Sequence, residues 1–170
     1  GYKDVEDPST YVALDLVDPD APLRRRILVW TTTPWTLVSN AALAVSPTLA
    51  YAEVRKKSGA AFTLVLAESR LGGVLGADWS DRWEVVATHA GADLAGLRYR
   101  RPLDWVEYPA GTTHEVIVAE DFVSADDGSG VVHMAPATTP PGSGTGSPSC
   151  SRSTRAGASP RACPSWAGAS

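Results

Sequence analysis

Seven short runs of apolar and β-branched residues recur along the chain, and they limit what it can fold into more than any other feature. They are 10–17 (TYVALDLV), 25–31 (RRILVWT), 51–56 (YAEVRK), 61–67 (AFTLVLA), 82–89 (RWEVVATH), 114–121 (HEVIVAED) and 130–134 (GVVHM). Runs this short, partly alternating and bounded by Gly, Pro, Asp and Ser, read as strands. Two further stretches, 67–76 (AESRLGGVLG) and 91–97 (GADLAGL), have room only for short helices. Many short strands at modest spacing predict an α+β, strand-rich fold of barrel or sandwich type, not a doubly wound sheet. No internal repeat is evident.

Composition narrows the function classes. With 44% hydrophobic residues, a chain of 170 residues can bury one sizeable core, with room for a tail. Its apolar stretches, such as 62–67, are far too short to cross a membrane as a helix, and no basic-apolar leader opens the chain. The opening residues, GYKDVEDPSTYV, read as an entry into a longer polypeptide. Cys150 and Cys163 have no histidine neighbours to make a zinc site and form no disulfide framework, which fits a cytoplasmic setting. Residues 1–137 carry all 19 acidic residues and 12 of the 15 basic ones, a net charge of −7. An acidic body argues against a broad DNA- or RNA-binding groove, which needs clustered Lys and Arg. Arg24, Arg25 and Arg26 form the one basic run, and before a strand it reads as a solvated edge.

Residues 29–40, VWTTTPWTLVSN, are unusual. Pro34 has no N–H to donate, so the strand ending at Thr31 must turn there. The turn would present Thr31, Thr32, Thr33 and Thr36 on a bend fixed from behind by a strand. Hydroxyls both donate and accept, so such a cluster suits a sugar hydroxyl, an ester carbonyl or a water. A threonine-rich strand edge is also common in β-proteins, and the bend alone leaves both readings open. Residues 120–137, EDFVSADDGSGVVHMAPA, add an acidic turn, a Gly-Ser-Gly bend and His133 at a strand end.

Together these segments resemble the editing domain inserted into isoleucyl-tRNA synthetases, a barrel-type domain of class I aminoacyl-tRNA synthetases. The family pattern Trp-Thr-Thr-Thr-Pro-Trp-Thr-Leu-Pro-x-Asn is matched by WTTTPWTLVSN at 30–40, with Val38 in place of the proline. Roughly ninety residues on, the family's Gly-Thr-Gly-x-Val-His-x-Ala-Pro is matched by GSGVVHMAPA at 128–137. The related valine and leucine enzymes carry Thr-Thr-Arg-Pro at the bend, so Thr33-Pro34-Trp35 points to the isoleucine enzyme. The resemblance covers 1–137, which it marks as an editing domain, incomplete at its end.

What the resemblance implies is hydrolysis of valine wrongly esterified to tRNA(Ile). A pocket shaped for isoleucine cannot strongly reject valine, since one methylene is worth only ~1–3 kcal/mol; this enzyme family is itself the standard illustration of that figure. A second, smaller site then removes the error. By motif position, Thr31, Thr32 and Thr33, with Thr36 beside them, would line the pocket around the terminal adenosine and the ester. Thr33 and Asn40 would position the attacking water, Trp35 would wall the aminoacyl side chain, and His133 would act as the sieve that excludes isoleucine. The expected partners are the tRNA(Ile) 3′ end carrying valine and the rest of a synthetase chain. No metal or cofactor is required, because an ester is already activated and a held water gains mainly from orientation. ATP and Mg2+ would belong to a synthetic domain whose signatures, His-Ile-Gly-His and Lys-Met-Ser-Lys-Ser, do not occur here.

One departure from the pattern bears on activity. Nine positions after the histidine the family has an acidic residue that binds the substrate's α-amino group; here that position is Gly142, and no Asp or Glu follows Asp127. A non-catalytic module that binds a tRNA end is therefore the alternative reading. Residues 138–170 use only Thr, Pro, Gly, Ser, Cys, Arg, Ala and Trp, each encoded with G or C at the second codon position. That alphabet is what a one-base shift in a GC-rich gene yields, so a frameshift at about 135–138 and a disordered tail over 138–170 are expected.

Overall fold

The computed structural model describes residues 9–105, 107–108, 111–119, 123 and 127–135. The tail at 138–170, with Gly142 and both cysteines, and the opening residues 1–8 lie outside the described residues, as do the expectations attached to them.

Eight strands form one mixed sheet that curls into a half-barrel: β1 (Thr10–Asp15), β2 (Arg24–Thr31), β3 (Ala42–Val45), β4 (Ala50–Lys56), β5 (Phe62–Ala67), β6 (Trp83–Ala90), β7 (Glu115–Val118) and β8 (Val131–Met134). All seven expected strands are present, with ends shifted by a few residues; β3, only four residues long, was not expected. Two helices, α1 (Leu71–Leu75) and α2 (Trp79–Arg82), follow a 3-10 turn at Glu68–Arg70. The expected helix at 91–97 is only a 3-10 turn at Gly91–Leu94, and the bend after Thr31, expected as a loop, is a 3-10 segment at Pro34–Ser39.

The strand order is β6-β4-β5-β2-β8-β3-β7, with β1 antiparallel to β2 along its whole length. β2 is the axis of this arrangement. Its first half, Arg24 to Ile27, pairs in parallel with β5, and Trp30 near its end pairs in parallel with Val132 of β8. The sheet therefore forks: β8 takes over the edge of β2 where β5 leaves it. Gly128 and Gly130 fill the fork, both at positive φ. A Cβ on Gly130 would lie 2.4 Å from that of Ala67, and one on Gly128 would lie 2.7 Å from the Trp30 ring. Only glycine fits there. The Tyr51 hydroxyl donates to the Gly130 carbonyl (2.7 Å), and Arg70 Nε to that of Gly128 (3.0 Å), so the bend is fixed.

Pleating distributes the apolar residues over two cores. Ile27 and Val29 point into one, with Leu14, Leu43, Tyr51 and Val131; Leu28 points into the other, with Val54, Leu64, Leu66 and Trp83. Leu71 of α1 covers the second core, with Val74, Leu75 and Trp79 packed against it. Burial on both faces is why the central strands read as nearly continuous apolar runs.

The arginine run is not a solvated edge throughout. Arg24 and Arg26 both reach Asp15, but Arg25 turns inward to Glu53 and Asp18, each at 3.1 Å. Strand pairing supplies the reason: alternate residues of β2 face opposite sides, and Arg25 lands beside the buried carboxylate of β4. Among the described residues no helix is long and apolar enough to cross a membrane.

Candidate functional site

Topology brings the two sequence segments together. β8 lies between β2 and β3, parallel to the first and antiparallel to the second. The connection from Thr31 to Ala42 must therefore cross the end of β8, where His133 sits opposite Leu43. The Ala41 N–H donates to the Met134 carbonyl (2.8 Å), which closes that crossing. Pro34 opens the 3-10 segment at its first position, where a missing N–H costs nothing.

A cavity of about 430 Å³ opens at this crossing. Thr31, Thr32, Thr33, Thr36 and His133 all line it, and Trp30, Val132 and Ala135 supply its apolar surface. Among the described residues that line it, none has a charged side chain. Thr31, 6% exposed, takes the Thr33 N–H on its hydroxyl (3.1 Å), while Thr32 and Thr33 are exposed. The hydroxyls form a chain: Thr31 to Thr33 at 3.4 Å, and Thr33 to Thr36 at 3.1 Å. Thr36 also donates to the Thr33 carbonyl at 2.7 Å and lies 2.8 Å from His133 Nε2. Burial lowers the His133 pKa from its ordinary 6.5, so the ring is neutral at neutral pH.

Two expected site residues are placed differently from the rest. Asn40 is 1% exposed and lies behind His133, not in the cavity. Its amide meets His133 Nδ1 at 2.9 Å, Ala42 O at 3.3 Å and the Tyr99 hydroxyl at 2.5 Å. Both sides of its NH2 group are thus engaged, and its oxygen takes the Tyr99 hydroxyl. Trp35 is 65% exposed and does not line the cavity, because the 3-10 turn rotates its side chain away from the face that carries Thr36.

The residues that the sequence did not point out are behind Asn40. Tyr99 is buried, which raises its pKa, and the Tyr108 hydroxyl donates to the Asn40 carbonyl at 3.1 Å. His114 packs edge-on to Tyr108 (5.1 Å between ring centres) and beside Tyr99 (5.9 Å). Its pKa is lowered by burial and by the Arg101 charge, against a hydrogen bond to the Ala41 backbone. No local signal marks these residues, since Tyr99 and Tyr108 reach Asn40 from 59 and 68 positions away and His114 packs on both; only the fold brings them there. Among the described residues no group of three or more His, Cys, Asp or Glu is placed to hold a metal ion.

Comparison with known proteins agrees with this geometry. The chain is 45% identical over 137 residues to an isoleucine--tRNA ligase of Archaeoglobus fulgidus, covering 79% of the chain and 13% of that protein. It is 41% identical to the isoleucine--tRNA ligase of Streptomyces avermitilis over 137 residues, and of Mycobacterium tuberculosis over 140. These matches cover 81% and 80% of the chain, but only 12% and 13% of the two relatives, so the chain spans about an eighth of such a ligase. No family model matches. Among solved structures, GlLeuRS-CP1 superposes with a TM-score of 0.58 at 18% identity, covering 74% of this chain and 54% of that one. The editing domain of the P. knowlesi cytosolic leucyl-tRNA synthetase also gives 0.58, at 12% identity, covering 74% and 55%. The chain is thus homologous, over about four-fifths of its length, to a segment of isoleucine--tRNA ligases, and it has the fold of the editing domains of class I synthetases.

Proposed function

We propose that the cavity receives the 3′ end of a tRNA(Ile) carrying valine and that its ester is hydrolysed there, as part of a synthetase at work in the cytoplasm. The observation that carries this reading is the convergence of Thr31, Thr32, Thr33 and Thr36 with His133, 97 positions from Thr36, on one uncharged cavity. A neutral ring of hydroxyls suits ribose hydroxyls and an ester carbonyl, which are themselves neutral donors and acceptors. Among the described residues that line the cavity there is no carboxylate to act as a base, so the gain comes from orienting a water, with Thr33 as the residue that faces it. His133, half-buried between Thr36 and Asn40, forms a rigid wall; rigidity is what a size filter needs, since a mobile ring would yield to an extra methylene. Asn40 holds that wall instead of the water. Trp35, on the outer face, is available to the tRNA or to other parts of a synthetase. No metal, membrane or DNA enters this proposal.

The second reading, a module that binds a tRNA end without hydrolysing it, is favoured by one observation. No Asp or Glu follows Asp127, so the α-ammonium lacks a charge-assisted contact of a kind worth ~1.5–3 kcal/mol. Deacylation assays on valyl-tRNA(Ile) and isoleucyl-tRNA(Ile), with the chain as it stands and with residues 138–170 replaced by the sequence of the shifted frame, separate the two. Faster loss of valine than of isoleucine from the restored protein is expected. Equal rates on both esters would sink the filter. Binding without hydrolysis by both proteins would leave the binding module.

A further inference from the structure

Carbonyl groups at both ends of the chain of contacts around His133 decide where every proton lies. Ala42 O accepts only, so the Asn40 atom 3.3 Å from it is the amide NH2, and Oδ1 is left to accept from the Tyr99 hydroxyl at 2.5 Å. The same NH2 group faces His133 Nδ1 at 2.9 Å, so Nδ1 must be the bare nitrogen. The ring proton then sits on Nε2 and is donated to Thr36 Oγ1 at 2.8 Å. At the far end Thr33 O, another pure acceptor, takes the Thr36 hydroxyl proton at 2.7 Å. Thr36 Oγ1 therefore accepts from the Thr33 hydroxyl (3.1 Å), and Thr33 Oγ1 in turn accepts from Thr31 (3.4 Å). One lone pair of Thr33 Oγ1 is left.

We propose that Tyr99 is a positioning residue: together with Ala42 O it holds the Asn40 amide in the orientation that selects the Nε2–H tautomer of His133, beside a Thr33 that its own contacts to Thr36 and Thr31 leave as a hydrogen-bond acceptor facing the cavity. The class of ligand follows from this. An acceptor receives a water or a sugar hydroxyl, and a water so held keeps a lone pair directed away from Thr33 and toward an electrophile. The use of this arrangement in hydrolysis rests on the editing reading; the tautomer itself does not. Tyr99 is suited to the role because its hydroxyl is buried and its pKa is raised by that burial, so it is a protonated donor at neutral pH.

The test is the ring-nitrogen NMR spectrum of the full chain labelled with 15N-histidine. The His133 signals are assigned by their loss in His133→Gln. In the wild-type chain at neutral pH, His133 should show a single form protonated at Nε2. In Tyr99→Phe, which keeps the ring against His114 and removes only the donor, the ratio of tautomers should shift toward Nδ1–H by about fivefold or more. A His133 protonated at Nδ1 in the wild type overturns the proposal, and so does an unchanged single tautomer in Tyr99→Phe. If that variant does not fold, Asn40→Asp decides: its carboxylate cannot donate, so His133 should become protonated at Nδ1, and retention of Nε2–H alone overturns the relay. On valyl-tRNA(Ile), Tyr99→Phe should lower kcat by about tenfold with KM changed less than about twofold. Absence of hydrolysis in the frame-restored wild type would count against the editing reading, while the nitrogen spectrum would still decide for or against the tautomer lock.

Discussion

Two histidines of the same sheet have opposite surroundings. His89, on β6, faces the Glu53 carboxylate at 3.1 Å and the Arg25 guanidinium at 3.4 Å. His133, on β8, faces an amide and a hydroxyl and no charged group that the structure shows. Glu53 ties together three strands: Thr63 of β5 donates to one oxygen at 2.6 Å, and Arg25 of β2 and His89 of β6 reach the other. Burial alone would raise its pKa, but the hydrogen bonds from Thr63 and His89 and the Arg25 charge outweigh it and hold the carboxyl below 4.5. Charge is used at that end of the sheet to join strands. At the other end neutral groups orient one ring and leave its outer face to a cavity.

The largest effect expected from breaking this contrast is at the charged end. Glu53→Ala leaves the 15%-exposed Arg25 without one of its two carboxylates, and leaves Thr63 and His89 without theirs. Removal of one member of a buried ionic group costs about 3–5 kcal/mol, read as a fall in the urea midpoint at constant slope. Specificity as well as stability should respond to His133→Ala. Loss of its two side-chain hydrogen bonds should cost about 1–3 kcal/mol of stability, less than the charged cluster. The opened space should let the frame-restored domain attack isoleucyl-tRNA(Ile), with discrimination falling by up to ~1–3 kcal/mol, the worth of a methylene. If His133→Ala abolishes hydrolysis of both esters instead, the ring is not a size filter. If it destabilises as much as Glu53→Ala, the two ends do not differ in kind.

Legibility in the sequence follows the same division. Strands betray themselves through local pattern, so seven were readable, and only β3 escaped, a four-residue ALAV stretch that is apolar throughout and follows directly on the motif bend. The Thr31–Thr36 cluster and His133 were readable because resemblance to a family links two motifs that no local rule connects. What the sequence could not show was direction. Trp35 reads as a wall from its place in the motif, yet a 3-10 turn, set by Pro34 and the Thr36 N–H donating to Thr33 O at 3.0 Å, turns it outward. Asn40 reads as a water ligand, yet Tyr99 and Tyr108 reach it from behind. Such contacts arise only when β7 and the segment before it close against β3, and nothing near Tyr99 in sequence announces that. The same holds for Arg25, whose partner Glu53 is 28 residues away.

The smallest effect, and the one that separates the two ends most finely, is the response to acid. His133 has its pKa lowered from 6.5 by burial, and His114 from the same value by burial and Arg101. For both, the unfolded chain binds the proton more readily than the folded one, so stability is full above 6.5 and falls as pH drops below it. Glu53 and Asp15 are lowered from 4.5 and 3.8; the hydrogen bonds and charges of Arg24 and Arg26 outweigh the burial of Asp15. Their contribution is full above those values and is lost only as pH falls through the lower folded ones. Urea midpoints followed from neutral pH downward should therefore decline in two stages, first below 6.5 and then below 4.5. His133→Gln should shrink the first stage without removing it, because His114 remains, and leave the second intact. Glu53→Gln should shrink the second and leave the first. A single decline, or a first stage untouched by His133→Gln, would mean that His133 takes up a proton in the folded chain as easily as in the unfolded one. A protonated Nδ1 would then face the Asn40 NH2 donor to donor, which the fixed amide does not permit.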